Sequence, residues 1–307
     1  VRITVLGAGA MGCLVGGLLA RAGEDVVLVD ASAEHVEALN RQGLRLWEGD
    51  ELVRIPVRAL VAGSAVRPAD LVLFLVKAPR TRAALPSLPP LLAERGAVLT
   101  LQNGLGAADL LAEGLGAERV LVGVTAQGAT LLGPGEIRHG GSGETLVGGY
   151  RGEHPLVGAV VRALQGAGLP SRAAQDIWPG VWKKLAVNCG INALTALTGI
   201  RNGRIPEIPE AAELLGDAVR EAAAVARAAG VDLGAPDALA EQVLAVATAT
   251  AANRSSMGQD VDRESPTEID FINGAVAREG LRLGVPTPVN TTLTRLVKTL
   301  EASFLRS

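Results

Sequence analysis

The first half of the chain alternates short, wholly apolar runs with helical-period stretches. Ile3–Leu6, Val26–Val29, Leu71–Val76, Ala97–Leu101 and Val120–Val124 carry almost no polar alternation, the pattern of strands buried on both faces. Between them Met11–Ala22, closed by Gly23, and Ala33–Gln42 read as helices. Thr81–Glu94 reads as a further helix interrupted by prolines, and Leu44–Pro56 as a hairpin turning at Gly49-Asp50. The glycine-rich stretch from Gly133 to Gly149 reads as turns joined by alternating strands. Strand–helix alternation of this kind predicts a parallel sheet covered by helices on both faces.

From about Ile177 the period changes. Ile177–Leu197, Ala211–Ala229, Leu239–Asn253, Glu268–Leu283 and Asn290–Phe304 all read as helices, with Gly230, Gly284 and Pro286 where helices should stop. The expected fold class is therefore an α/β Rossmann-type N-terminal domain followed by an all-α C-terminal domain. The join is placed near Leu169–Gln175, giving residues 1–174 and 175–307. A length of 307 residues agrees with two domains.

Composition narrows the function classes. Mean hydropathy is +0.30 with 20% charged residues, which excludes disorder for the bulk of the chain. A net charge of −3 and 2% aromatics give neither the basic footprint nor the stacking platforms of nucleic-acid binding. The apolar start, Arg2 through Ala22, has signal-peptide features, but Gly7, Gly9, Gly12, Gly16 and Gly17 break it, so a strand–turn–helix is expected there. No apolar run approaches the ~20 residues of a membrane span. Cys13 and Cys189 are the only cysteines, which suits a reducing, cytoplasmic setting, and each is expected in the core. His35, His139 and His154 are scattered, so neither a metal site nor a histidine-based triad is expected.

The first chemical signal is Gly7-Ala8-Gly9-Ala10-Met11-Gly12, a GxGxxG between a strand and a helix. In that context Gly7 permits the turn, Gly9 admits a pyrophosphate to the backbone, and Gly12 lets helix and strand approach. Ala10 and Met11 open the helix whose free N–H groups face the phosphates. Asp30 ends the second strand, where a carboxylate bonds a ribose 2′-hydroxyl and repels a 2′-phosphate, so it favours NAD. Lys77 and Arg80 follow the Leu71–Val76 strand and are placed to reach the adenosine side.

The second signal is a polar stripe, Lys184, Asn188 and Asn192, at four-residue steps on an otherwise apolar helix. Polar groups on a buried helix cost stability unless satisfied, so this stripe reads as the wall of a cleft rather than a solvated face. Asn202-Gly203 reads as a turn, and Asn253, Ser256 and Asp260 cluster at the end of a helix. Glu268 taken alone reads as a carboxylate at a helix N-terminus.

With these motifs in place the chain resembles the ketopantoate reductase (2-dehydropantoate 2-reductase) family. The resemblance is carried by VRITVLGAGAMG at 1–12, VKA at 76–78, QNGLG at 102–106, LVGVT at 121–125, WKKLAVNCGINALTAL at 182–197, NRSSMGQD at 253–260 and TEIDFINGAV at 267–276. It implies a Rossmann domain followed by a helical one. It also implies that Lys184 is the catalytic lysine and Glu268 an essential glutamate. Asn103, Asn188, Asn192, Asn202 and Ser256 would line the substrate pocket, with Asn103 also near the cofactor. Gly7, Gly9 and Gly12 would form the phosphate loop, and Lys77 would contact the 2′-phosphate of NADP. Two positions depart from the family pattern. Asp30-Ala31-Ser32 stands where better-known members have an arginine for NADPH, and Gln102 stands where some relatives have histidine, which is expected to alter pocket polarity.

The implied reaction is reduction of 2-dehydropantoate to pantoate with NADP(H), in a monomer or homodimer that binds a small 2-keto acid. Lys184 would protonate the carbonyl oxygen as hydride reaches its carbon. Asp30 supports an alternative, an NAD-dependent reductase of other branched 2-keto acids (a D-2-hydroxyacid dehydrogenase). A cofactor-binding regulator without turnover would lack the lysine or the glutamate, and both are present.

Overall fold

The computed structural model describes residues 1–305. The chain forms two compact units. One comprises Val1–Gln102 and Ala108–Ile177; the other comprises Asn103–Ala107 and the chain from Trp178 onward. The short segment Asn103–Ala107 thus leaves the unit that flanks it, which a single cut after residue 174 does not anticipate.

The first unit begins β1 (Arg2–Leu6), α1 (Ala10–Arg21), β2 (Asp25–Asp30), α2 (Ala33–Gln42), β3 (Leu44–Glu48), β4 (Glu51–Ile55), β5 (Arg58–Val61) and β6 (Ala69–Phe74). It continues α3 (Thr81–Ala84), β7 (Leu92–Thr100), α4 (Ala107–Leu115), β8 (Val120–Thr125), β9 (Gly128–Gly133), β10 (Glu136–Gly141), β11 (Thr145–Gly149), α5 (Val157–Gly166) and β12 (Ser171–Ala173). An eight-stranded sheet runs β12-β11-β8-β7-β6-β1-β2-β5. Its pairs are parallel except β11 with β8, so the expected parallel sheet carries one antiparallel step. Ile3, Val5, Leu28, Leu73 and Leu99 from its central strands pack with Leu14 and Leu18 of α1 into one core. The hairpin of β3 and β4 joins β10 and β9 in a second, four-stranded sheet that the hydrophobic pattern did not predict.

The order reverses beside β1: the chain goes to β2 on one side and later returns to β6 on the other. The crevice at the carboxyl ends of such strands is where α/β sheets hold ligands. The glycine loop after β1, Asp30 at the end of β2 and Lys77 beyond β6 all lie at that edge.

The expected helix Thr81–Glu94 is a single turn. Pro86, Pro89 and Pro90 supply no N–H and disfavour helix before them, so the chain passes through 3₁₀ turns and enters β7, which contains Glu94.

The second unit is helical: α6 (Trp178–Thr198), α7 (Pro209–Ala228), α8 (Pro236–Ala249), α9 (Ser256–Asp262), α10 (Asn273–Leu283) and α11 (Pro288–Phe304). A Cβ at Gly190 would lie 2.9 Å from Leu215 and 3.0 Å from Val219, so glycine there lets α7 press against α6. Two expectations are corrected. Ser256 begins α9 rather than closing the preceding helix, which ends at Ala249. The stretch Glu268–Leu283 is a 3₁₀ turn at Ile269–Phe271 followed by α10, because Ile272 sits at φ −107°, ψ −100°, outside helical space. Among the described residues no helix is long and apolar enough to cross a membrane.

Candidate active site

In the first unit the three motif glycines meet three different constraints. Gly7 has φ +96°, and a Cβ there would lie 2.6 Å from the Val76 nitrogen. A Cβ on Gly12 would lie 2.0 Å from the Gly7 oxygen, so the helix rests directly on the loop. Gly9 has nothing within 4 Å of a Cβ, and as N-cap of α1 it brings no side chain to cover the N–H groups of Ala10, Met11 and Gly12. The loop is tight on two sides and open on the third. Gly7 also packs against the Leu75–Val76 backbone, so the chain leading to exposed Lys77 starts at the glycine loop itself. The Asp30 carboxylate accepts from the Ser32 N–H at 2.9 Å, a local turn that leads into α2.

Gln102 does not present a spare polar group. Its Nε2 donates to the Val76 carbonyl at 2.8 Å and to Thr81 Oγ1 at 2.9 Å, while its Oε1 accepts from Thr100 Oγ1 at 2.9 Å. The side chain fastens the end of β7 to both ends of the segment that carries Lys77.

In the second unit α6 presents its stripe with graded burial: Lys184 and Asn188 are partly exposed and Asn192 is 5% exposed. Burial pulls the Lys184 ammonium down from 10.5 to about 8, with the negative charge of Glu268 opposing the shift. Glu268, itself buried, precedes the 3₁₀ turn at Ile269. Its Oε2 accepts from Asn103 Nδ2 at 3.0 Å across 165 residues of sequence. The Asn103–Ala107 segment is seated by the Leu105 N–H, which donates to the Phe271 carbonyl at 2.9 Å. Gly104 makes this approach possible, having φ +84° and only 1.9 Å between an added Cβ and the Phe271 oxygen. Lys184, Glu268 and Asn103 therefore form one electrostatic group.

Further along α6, Asn192 Nδ2 donates to Ser256 Oγ at 3.5 Å. The neighbouring Ser255 caps α9: its Oγ accepts from the Gly258 N–H at 3.0 Å and from Thr195 Oγ1 at 2.7 Å. Asn202 is buried, with Nδ2 donating to Thr250 Oγ1 at 2.9 Å and a buried Oδ1 that has no hydrogen-bond partner among the described residues. Sequence reasoning missed Thr195, Thr250 and Ser255, whose roles come from partners 48 to 60 residues away. Among the described residues no group of three or more His, Cys, Asp or Glu is arranged to hold a metal ion.

Residues 3–152 match the family described as "Ketopantoate reductase PanE/ApbA", and residues 176–301 match its C-terminal counterpart. The 2-dehydropantoate 2-reductase of Halobacterium salinarum is 38% identical over 300 residues, 97% of this chain and 98% of that protein. The Vibrio cholerae 2-dehydropantoate 2-reductase is 36% identical over 307 residues and the full length of both chains. The chain belongs to the ketopantoate reductase family. Among solved structures, a PanE/ApbA family ketopantoate reductase from Ralstonia eutropha has a TM-score of 0.91 at 36% identity, covering 99% of each chain. A D-mandelate dehydrogenase bound to NADH and anilino(oxo)acetate has the same TM-score at 28% identity, again over 99% of each chain. Ketopantoate reductases are pyridine-nucleotide oxidoreductases acting on a CH–OH group, and the glycine loop fits such a nucleotide. The space in front of Gly9 is the cradle a Cβ would fill.

Proposed function

We propose that this ketopantoate reductase converts 2-dehydropantoate to pantoate with NADPH. The observation that carries the reading is the Lys184–Glu268–Asn103 group: a largely enclosed lysine brought to about 8 beside a buried glutamate that an asparagine holds in place. When bound, the dihydronicotinamide supplies hydride to the keto carbon. Lys184 stabilises the charge that develops on the carbonyl oxygen and delivers the proton that completes the alcohol. Glu268 keeps the ammonium form accessible and orients it, and Asn103 fixes the carboxylate. Asn188, Asn192 and Ser256 hold the carboxylate and hydroxyl of the substrate. The orphaned Asn202 Oδ1 is an acceptor whose partner must be a donor, as the substrate hydroxyl is. Gly7, Gly9, Ala10, Met11 and Gly12 hold the pyrophosphate, and Lys77 faces the 2′-phosphate.

A second reading rests on Asp30 and on the likeness to NADH-bound D-mandelate dehydrogenase: an NADH-dependent reductase of other 2-keto acids. Turnover of ketopantoate and ketoisovalerate with each of NADPH and NADH separates the two. Ketopantoate with NADPH is expected to lead by well over about tenfold in kcat/KM, because a site built for the hydroxyl leaves its own polar groups unpaired with the analogue. Equal use of both acids would instead establish the general reductase.

A further inference from the structure

His35 lies on the first turn of α2, 5% exposed, and the reaction does not use it. Its two ring nitrogens have unlike partners. Nδ1 is 3.1 Å from the Gly135 N–H, which can only donate. Nε2 is 2.9 Å from the Ala8 carbonyl, which can only accept. The two contacts together assign the neutral tautomer with its proton on Nε2. A second donor reaches the same carbonyl: Cys13 Sγ lies 3.0 Å from it and 3.4 Å from His35 Nε2. Burial pushes the Cys13 thiol up to about 12, so it stays S–H and donates.

Ala8 is the second residue of the glycine loop. The N–H groups of Gly7 and Ala8 both donate to the Val29 carbonyl, at 2.9 and 3.3 Å. The polar backbone at the start of the loop is thus drawn inward. In a planar trans peptide the carbonyl and the following N–H point in opposite directions. Holding the Ala8 oxygen inward therefore turns the Gly9 N–H outward, at the one of the three motif glycines whose surroundings are open.

We propose that His35, in its neutral Nε2–H form and together with Cys13, is a positioning residue for nucleotide binding: it locks the Ala8–Gly9 peptide so that the Gly9 N–H faces the pyrophosphate. Without this lock the peptide plane is free to rotate and present a carbonyl oxygen to an anion. The turn between β9 and β10 takes part through Gly135, whose N–H fixes the tautomer from the far side of the ring. The inference rests on the glycine loop being the nucleotide site.

The test is the dissociation constant of NADPH, read by fluorescence titration of the purified protein, with KM and kcat measured in parallel. His35→Leu is expected to raise Kd and the nucleotide KM by about tenfold, the scale of a lost buried hydrogen bond, with the loss falling on these constants rather than on kcat. His35→Gln retains a donor and an acceptor amide and is expected to recover most of the affinity. Cys13→Ala, which suits a helix and removes one of the two donors, is expected to weaken binding a few-fold. It supplies the same readout if His35→Leu does not fold. Unchanged Kd in these variants, or equal loss in the Leu and Gln variants, overturns the proposal. So does a proton found on Nδ1 by ¹⁵N NMR of the wild-type histidine. A wild-type protein that binds neither NADPH nor NADH would show instead that the nucleotide reading itself is wrong.

Discussion

Gly7, Gly9 and Gly12 share a motif but not a constraint, and alanine at each should give a different result. At Gly7 and Gly12 the new methyl meets backbone at 2.6 and 2.0 Å, and Gly7 is left-handed as well. Both variants should lose about 1–3 kcal/mol or more, visible as a Tm lowered by several degrees. Gly9→Ala enters open space at φ −66°, so its Tm should stay within about two degrees of wild type. Its NADPH affinity should nevertheless fall by about tenfold or more, because the methyl occupies the approach to the pyrophosphate. Differential scanning fluorimetry with and without NADPH reads both quantities; wild-type affinity in Gly9→Ala would remove the loop from the nucleotide site. Lys184 makes a second residue-scale prediction. Its ammonium is the proposed proton donor, and burial lowers its pKa to about 8. Below that pH reduction has its acid; above it, kcat/KM for reduction should fall about tenfold per pH unit, while oxidation of the alcohol, which needs the free amine, should rise. Lys184→Arg should flatten the alkaline limb along with lowering turnover, since guanidinium does not titrate there. An alkaline limb that survives in Lys184→Arg belongs to another group.

At the scale of elements, the short helix α9 has its N-terminus capped by one side chain. Ser255 caps it and receives the Thr195 hydroxyl from α6, so the cap also aligns Ser256 with Asn192. Ser255→Ala should cost about 0.5–2 kcal/mol as a lost cap and raise KM for the keto acid more than it lowers kcat. A thermal melt and a substrate titration check the two parts, and an unchanged KM would mean that Ser256 does not hold substrate. This cap marks the boundary of what the sequence makes legible. The strands around β1, the turn that opens α1 and the helix that carries Lys184, Asn188 and Asn192 follow from periodic or contiguous patterns, and those elements form where the patterns put them. The break at Ile272 follows no local signal, because TEIDFING keeps a helical period and the interruption accompanies packing of the Asn103–Ala107 segment on Phe271. The Asn103–Glu268 bond, the Thr195–Ser255 bond and the Asn202–Thr250 bond join residues that no spacing rule connects. The second sheet escaped for a related reason: its strands are half exposed and pair across some 90 residues.

Over the whole molecule the proposed site residues divide along the chain. The glycine loop, Asp30 and Lys77 belong to the first unit, whereas Asn103, Lys184, Asn188, Asn192, Asn202, Ser256 and Glu268 belong to the second. The chain carries a net charge of −3, yet the proposed ligands, a nucleotide and a keto acid, are anions. Overall charge therefore gives them no attraction, and at physiological salt fields fade beyond about 8 Å, so local groups must set selectivity. For the adenosine end the proposed reading rests on one carboxylate, Asp30 at the end of β2, and one ammonium, Lys77 just beyond β6, the two strands that flank β1 in the same sheet. A 2′-phosphate is repelled by the first and attracted by the second, whereas a ribose hydroxyl bonds the first. Asp30→Ala should raise the NADPH/NADH ratio of kcat/KM by about three- to tenfold, and Lys77→Ala should lower it by a similar factor, each worth about 1 kcal/mol of partly screened charge interaction. Both effects should shrink between 50 and 500 mM salt, since they are electrostatic, while kcat with saturating NADPH stays level. If the ratio holds constant in both variants, the adenosine 2′ position is read elsewhere and the NADPH assignment loses its local support.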